Sequence, residues 1–330
     1  MAPLQLSVAI GDYDRNRPLI DGQVQIDGVD PTFLRLFPEE IFFRAFRHAE
    51  FDVCELSFSS YAVKVAQGDC PYVAVPAFLS RAFRHTSIYI RTDRGIDKPE
   101  DLKGRRIGLP EYQLTACVWA RALLEDDYGV QPSDVTWVRG GLEEPGRPEK
   151  IKIALPPEIK VVDAPAGISL NTMLEQGEID AFIGPRSPSS FDRGDPRIGR
   201  LFPDPTAAAS DYYRRTGIFP IMHVLGVRRS LVERHPWLPA TCLKAFQQSK
   251  AAALARLSDT SATKVTLPFV EEQLAAARKL MGEDYWPYGI DANRAVIENF
   301  LKHHHAQGLS ARRLTIEELF HPATLEVSKI

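Results

Sequence analysis

The sequence predicts an α/β protein of two lobes. Three observations lead there: a length of 330 residues, a recurring order of strand, polar or Ser-rich turn and helix, and an extended return segment at 216–227 that follows a self-contained strand–helix unit. A chain this long exceeds the size at which one hydrophobic core stops growing. Alternation of strand and helix implies a parallel sheet covered by helices, with ligands at the carboxyl ends of the strands.

The elements follow in order. Residues 4–10 (Leu-Gln-Leu-Ser-Val-Ala-Ile) alternate as a strand and run into a polar loop at 11–15. A helix is expected over 41–49. Residues 51–56 (Phe-Asp-Val-Cys-Glu-Leu) form the next strand, and Ser57, Ser59 and Ser60 precede a helix at 61–66. A short strand at 73–76 follows. Asp12 to Arg15 and Ser57 to Ser60 therefore share one rim. The chain crosses to a second lobe near residue 90 and returns near 222. A strand at 88–90 closes the first-lobe stretch, the second lobe has expected strands at 105–109, 135–138 and 181–184, and 140–157, rich in Gly, Pro and charge, reads as a surface excursion. The mainly helical tail from 230 onward is expected to complete the first lobe.

The strand at 105–109 stops at Pro110, and a polar turn (Glu111, Tyr112, Gln113) leads into a helix that begins at Thr115. A strand ending at a helix N-terminus presents open N–H groups and the positive end of the helix dipole, which favour an anion, typically a carboxylate. Arg81, Arg84 and His85 lie just upstream, and the strand at 181–184 brings Arg186 to the rim. The pattern predicts a binder of a small organic acid.

Composition narrows the partners. The net charge of −3 argues against nucleic acid or an anionic membrane, both of which need a basic face. Cys54, Cys70, Cys117 and Cys242 show no paired spacing and read as buried free thiols. The N-terminus has neither a basic n-region nor a long apolar run, and a cytoplasmic location is expected. The helical C-terminal third leaves room for a homo-oligomer.

The segment from Lys98 (Lys-Pro-Glu-Asp-Leu-Lys-Gly-Arg-Arg-Ile-Gly-Leu) resembles the crossover signature of type II periplasmic-binding-protein folds, and Leu174-Glu-Gln-Gly-Glu-Ile-Asp-Ala is similar to their second-lobe segment. The finer resemblance is to the 4,5-dihydroxyphthalate decarboxylases. It is carried by Phe78-Leu-Ser-Arg-Ala-Phe-Arg-His-Thr-Ser-Ile-Tyr, Gly108-Leu-Pro-Glu-Tyr-Gln-Leu-Thr-Ala, Gly217-Ile-Phe-Pro-Ile-Met-His and Tyr285-Trp-Pro-Tyr-Gly. The resemblance implies two lobes, each a mixed sheet flanked by helices, with a ligand cleft between them. The expected lobes are 1–90 with 222–330, and 91–221, hinged near 84–92 and 217–226. It also implies decarboxylation of an aromatic di-acid to a hydroxybenzoate, here protocatechuate, with no organic cofactor.

Such chemistry needs cations for the retained carboxylate, an acid to protonate ring carbon and a partner for the phenol proton. Arg81, Arg84 and Arg186 suit the first task, because guanidinium binds carboxylate in a bidentate way. His85 or His223 is expected to donate the proton, since histidine titrates near neutral pH. Glu111 is the competing proton donor if burial raises its pKa, but its place beside a helix N-terminus favours the anion and suits it to the phenol side. Tyr112, Phe219 and Trp286 are expected as less polar walls, with Gln113, Thr115, Ser57, Ser59 and Asp12 as further substrate contacts. Structural alternatives stand beside these roles: a solvated charged turn for Arg81, Arg84 and His85, helix caps for the serines and for Glu111 to Gln113, Asx turns for Asp12 and Asp14, and a hydrogen-bonded core position for His223.

No metal ligand set is expected. The run His303-His304-His305 cannot converge on one ion from adjacent helical positions and reads as a solvated face, and nothing in the spacing of Asp12, Asp14 and His85 compels a site. Walker, dinucleotide and nucleophile-elbow motifs are not found. The alternative to the enzyme is a solute-binding or sensor protein for an aromatic carboxylate, disfavoured by the lack of an export signal and of an N-terminal DNA-binding motif.

Overall fold

The structure, a computed structural model, describes residues 2–325; residue 1 and residues 326–330, which the expected first lobe includes, lie outside the described residues. In chain order the strands are β1 (Leu4–Ile10), β2 (Val29–Arg35), β3 (Val53–Ser57), β4 (Tyr72–Arg81), β5 (Ile88–Arg91) and β6 (Arg106–Leu109). They continue with β7 (Thr136–Arg139), β8 (Lys160–Asp163), β9 (Ala181–Ile183), β10 (Ile198–Arg200) and β11 (Ile221–Arg228). The chain divides into two compact units: Met1–Arg81 with Ile221–Glu298 and Thr315–Ile330, and Ala82–Pro220 with Asn299–Leu314. The helical tail, expected to complete the first lobe, is thus divided, and Asn299–Leu314 belongs to the second unit. Among the described residues no helix is long and apolar enough to cross a membrane, and all four cysteines are buried free thiols.

The first unit is built on a five-stranded sheet in the order β2-β1-β3-β11-β4. β1 pairs with β2 and β3 in parallel, whereas β11 runs antiparallel to both of its neighbours. A purely parallel sheet fails here because residues 216–227 return to the sheet without a crossover helix. β3 lies between β1 and β11 and is buried along its whole length, so both of its faces are covered. Gly226 makes this approach feasible: a Cβ there would stand 2.3 Å from Leu56 Cδ1. β4 is longer than expected and passes through Pro76; the register against β11 shifts between His223 and Leu225, an irregularity that accommodates a residue without an N–H. The helix Pro38–His48 opens on proline and two glutamates, closes on Arg47, His48 and a left-handed Ala49, and buries Ile41, Phe42, Ala45 and Phe46.

The second unit carries a six-stranded sheet in the order β10-β5-β9-β6-β7-β8. β9, β6, β7 and β8 run parallel, while β5 is antiparallel to β9 and β10 antiparallel to β5. Tyr89, Val138, Leu170, Leu174, Ile179 and Phe182 form part of its core. The expected surface excursion at 140–157 is instead partly buried, with Lys150 and Ile151 8% and 6% exposed. The expected solvated histidine face is also inside: His303 and His304 are fully buried, and only His305 faces out. His303 Nε2 lies 2.7 Å from Asp126 and its Nδ1 3.3 Å from Glu125. Two acidic partners within the second unit make that burial tolerable.

Candidate active site

In the first unit the carboxyl ends of β1, β2, β3 and β4 lie on one edge, and each delivers polar groups there. Glu55, two residues before the end of β3, is fully buried and ringed by donors. Its Oε2 accepts from Gly11 N–H at 2.9 Å, and its Oε1 accepts from Tyr13 hydroxyl at 2.9 Å. His223 Nδ1 lies 2.5 Å from Oε1. His223 is at the start of β11 opposite Ser57, and its side chain is 19% exposed. Phe42 packs edge-on against its ring at 4.8 Å. Burial by itself would raise the Glu55 pKa, but His223, Gly11 and Tyr13 outweigh it and hold the carboxyl below its ordinary range. The ionised carboxylate orients the ring through Nδ1. Gly11 is required by this packing, because a Cβ would sit 2.4 Å from the folded-back Tyr13 ring.

A pocket of about 600 Å³ opens at this edge, lined in part by Gly11, Asp12, Tyr13, Arg35, Phe37 and Glu40. Asp12 is exposed and paired with Arg17 at 2.9 Å and Arg35 at 3.7 Å. Asp14 accepts from the Arg15 backbone N–H at 2.7 Å, one residue on, where an Asx turn bonds two residues on. Arg81 ends β4 and is 5% exposed; its guanidinium donates to Pro287 O at 2.8 Å and to Asn293 Oδ1. The Trp286 indole donates to Phe78 O at 2.8 Å and stacks on the Arg15 guanidinium at 4.4 Å. Ser57 stands at the N-cap of the helix Phe58–Gln67 without a side-chain capping bond, and Ser59 is buried in its first turn.

The second unit gathers the remaining candidates. Glu111, at the end of β6, is 1% exposed and accepts from Lys150 Nζ at 2.7 Å and Arg147 Nε at 2.8 Å. Desolvation would raise its pKa, yet the two cations hold the carboxyl below its ordinary value. Gln113 spans Glu111 Oε2 at 3.3 Å and Ile151 O at 3.1 Å. Tyr112 is buried beneath the Arg121 guanidinium, 3.8 Å from its ring centroid, and Thr115 is buried at the first turn of the helix Thr115–Tyr128. His85 is 2% exposed, edge-on to Phe202 at 5.0 Å and Tyr212 at 5.5 Å. Desolvation pushes its imidazole down to about 4, and its buried Nδ1 has no hydrogen-bond partner. Arg84 donates to Ser87 Oγ at 3.3 Å. Phe219 stacks on Phe83 at 4.7 Å, and Arg186 is exposed beyond β9 with no ion pair among the described residues.

The candidates therefore divide: Asp12, Ser57, Ser59, Arg81, His223 and Trp286 belong to the first unit, and Arg84, His85, Glu111, Tyr112, Gln113, Thr115, Arg186 and Phe219 to the second. Asp12 and Asp14 are thus in a different unit from His85, and among the described residues no three His, Cys, Asp or Glu side chains gather as a metal site would require. Sequence reasoning missed Glu55, Tyr13, Lys150 and Arg147. Glu55 left one signal, a charge inside a strand whose acidic residues, Asp52 and Glu55, do not share one face of a two-residue alternation.

A family profile described as NMT1/THI5 like matches residues 56–145. Among solved structures, the chain is similar to a periplasmic sulfonate-binding protein from Methylobacillus flagellatus KT (TM-score 0.57, 13% identity, 99% of this chain and 94% of that one). It is also similar to the periplasmic aliphatic sulphonate-binding protein of Escherichia coli (TM-score 0.52, 13% identity, 96% and 92%). These likenesses show the fold, a periplasmic-binding-protein-like one. Among curated sequences, a 4,5-dihydroxyphthalate decarboxylase of Comamonas testosteroni is 62% identical over 330 residues, covering all of both chains. One of Pseudomonas putida is 63% identical over 214 residues, covering 65% of this chain and 83% of its own. With that identity along its whole length, the chain belongs to the 4,5-dihydroxyphthalate decarboxylase family.

Proposed function

We propose that this chain decarboxylates 4,5-dihydroxyphthalate to 3,4-dihydroxybenzoate (protocatechuate) and carbon dioxide, with His223 as the proton donor. The observation that carries the reading is the buried Glu55–His223 pair at 2.5 Å, placed at the carboxyl edge of its sheet with one imidazole nitrogen left to react. The relatives' activity and the arginine-bearing strand ends support the substrate class.

The chemistry follows from the substrate. Each carboxylate of 4,5-dihydroxyphthalate has a hydroxyl para to it, and the two halves of the molecule are equivalent by symmetry. His223 Nε2–H transfers its proton to the ring carbon that bears one carboxylate. The para hydroxyl donates electron density and spreads the resulting positive charge. The ring–carboxylate bond then breaks, its electron pair restores the aromatic ring, and carbon dioxide departs. One proton is consumed per turnover, and His223 regains it from solvent at its exposed side. Glu55 holds the tautomer and stabilises the imidazolium, as a carboxylate behind a catalytic histidine does. Arg81 is assigned to the carboxylate that stays. A strong grip on the leaving carboxylate would stabilise the ground state and slow the step.

The other candidates are weaker donors. Burial keeps His85 uncharged near neutral pH, and a neutral imidazole is too weak an acid to protonate ring carbon. Glu111 is an anion whose oxygens are committed to Lys150 and Arg147, so it is assigned a structural role.

The test is a turnover assay on chelator-treated protein without added cofactor, following carbon dioxide and ring absorbance together. Wild type and His85→Ala are expected to convert 4,5-dihydroxyphthalate with one carbon dioxide per 3,4-dihydroxybenzoate, and His223→Ala to lose at least about 100-fold in kcat. Tight binding without product would move the chain to the solute-binding class. Full turnover by His223→Ala would remove the assigned proton donor.

A further inference from the structure

Tyr288 lies in the segment Tyr285-Trp-Pro-Tyr-Gly, of which the roles above use only Trp286. It is 7% exposed, and its hydroxyl is buried without a hydrogen-bond partner. The backbone on both sides of it is pinned. Pro287 O accepts from Arg81 Nη2 at 2.8 Å and from Asn293 Nδ2 at 3.0 Å. Gly289 N–H donates to Pro76 O at 2.8 Å, and Gly289 O accepts from Asn293 Nδ2 at 2.7 Å. The Lys250 ammonium stands 5.1 Å from the centre of the Tyr288 ring. These bonds fix the backbone that carries the ring, and leaving its buried donor unmatched is costly.

Arg81 reaches the backbone next to Tyr288, at Pro287 O, and Arg15 stacks on Trp286 two residues before it; Arg15, Arg81, Glu55 and Asp14 are the charges that act on the phenol. Glu55 is answered by His223, Tyr13 and Gly11, and Asp14 by Arg15 at 3.2 Å. Arg15 is clamped between the Tyr13 ring at 4.3 Å and the Trp286 ring at 4.4 Å, and it donates to Leu79 O and Asp14. Those bonds leave part of its N–H fork without an acceptor among the described residues. Burial, the largest influence, keeps the Tyr288 phenol well above its ordinary range, so the group is a donor at any working pH.

We propose that Tyr288, with Arg15 and Arg81, forms the subsite that holds the carboxylate the substrate keeps. The assignment rests on the decarboxylase reading and deepens it. A symmetric di-acid needs a site that treats its two carboxylates differently. A fixed phenol and two guanidinium groups, one of them stacked between aromatic rings, would grip one carboxylate and set the distance from it to His223. The ligand class is an aromatic carboxylate, and the site does not require the hydroxyls.

The experiment uses Tyr288→Phe beside wild type. The KM for 4,5-dihydroxyphthalate is expected to rise about tenfold, the loss of one charge-assisted hydrogen bond, with kcat within about threefold. Binding of 3,4-dihydroxybenzoate, measured by calorimetry, should weaken by the same factor, while inhibition by catechol, which lacks the carboxylate, should not change. Thermal melting should hold or rise, since the substitution removes an unmatched buried hydroxyl. Unchanged binding of 3,4-dihydroxybenzoate would overturn the subsite, as would equal weakening of catechol. A lowered melting temperature with unchanged KM would also overturn it by showing an internal role. If wild type binds 3,4-dihydroxybenzoate in a Tyr288-dependent way but releases no carbon dioxide, the subsite stands and the decarboxylase reading fails. If wild type binds no 3,4-dihydroxybenzoate, the subsite falls whatever the turnover.

Discussion

Replacing Glu55 by glutamine separates the charge of the dyad from its shape. The carboxylate is fully buried and accepts three bonds, at 2.5 Å from His223, 2.9 Å from Tyr13 and 2.9 Å from Gly11 N–H. Glutamine has the same length, and its carbonyl can occupy the Oε1 position and keep the first two partners. Its amide then meets the Gly11 N–H, donor against donor. Turning the amide round only moves the conflict to His223 and Tyr13. The folded state therefore loses its charge-assisted bonds and gains one unmatched pair, for a cost of about 2–4 kcal/mol at neutral pH. Turnover should fall about 10²- to 10³-fold in kcat, because the imidazolium loses its stabilising anion, with KM within about threefold. The pH dependence has a definite sign. The folded pKa of Glu55 is depressed, so its stabilisation is fully present above the ordinary carboxylate value near about 4.3 and is lost as the pH falls through the lower folded value. Melting of wild type and Glu55→Gln should therefore differ most at neutral pH and converge in acid. Steady-state kinetics and melting from pH 3 to 8 give both readouts. A Glu55→Gln enzyme with kcat within threefold of wild type, or a melting gap that stays constant into acid, would refute the reasoning.

Two further outcomes follow from the second unit. His85 has a folded pKa of about 4 against an ordinary 6.5, so the unfolded chain takes up its proton first. Wild type should lose about 1.4 kcal/mol per pH unit from this group between roughly pH 6.5 and 4, and His85→Phe should remove that slope in urea titrations while keeping turnover. Glu111→Gln leaves Lys150 and Arg147 without their buried anion and should cost about 3–5 kcal/mol in the same titrations; adding Lys150→Met should recover part of it.

Strand positions were legible where one local rule decided them. Leu4–Ile10 alternates and is bounded by a polar loop, and β1 has those limits. The reading failed where a long-range partner decided. Pro76 looked like the end of a strand, but a register irregularity against β11, more than 140 residues later, lets the strand continue to Arg81. The 140–157 segment has the composition of a loop and still buries Lys150, because Glu111 lies within reach of it. The histidine run at 303–305 looked solvated because helix periodicity carries no record of Asp126 and Glu125. Glu55 was hidden for a related reason. Its environment depends on β3 lying between β1 and β11, and no property of residues 51–56 alone reveals that both faces are covered.

Two buried glutamates and two buried or half-buried histidines show how environment assigns roles to identical side chains. Glu111 is answered directly by two cations, Lys150 at 2.7 Å and Arg147 at 2.8 Å. Glu55 faces His223 instead. On the proposed mechanism His223 gives its proton to the ring, and a buried carboxylate then remains beside a neutral imidazole. Without help that anion would take up a proton itself, and the dyad would stop cycling. On this proposal the Gly11 N–H and Tyr13 hydroxyl counter that uptake, because both donate to the carboxylate. The uncompensated anion then draws a new proton onto the imidazole from solvent. His85, lodged among Phe202 and Tyr212, has no buried anion to do the same. On the proposed mechanism, what separates the proton donor His223 from the packing residue His85 is the carboxylate behind the ring, and what separates the Glu55 pair from the Glu111 pair is the two neutral donors, Gly11 N–H and Tyr13 hydroxyl, that hold Glu55 ionised.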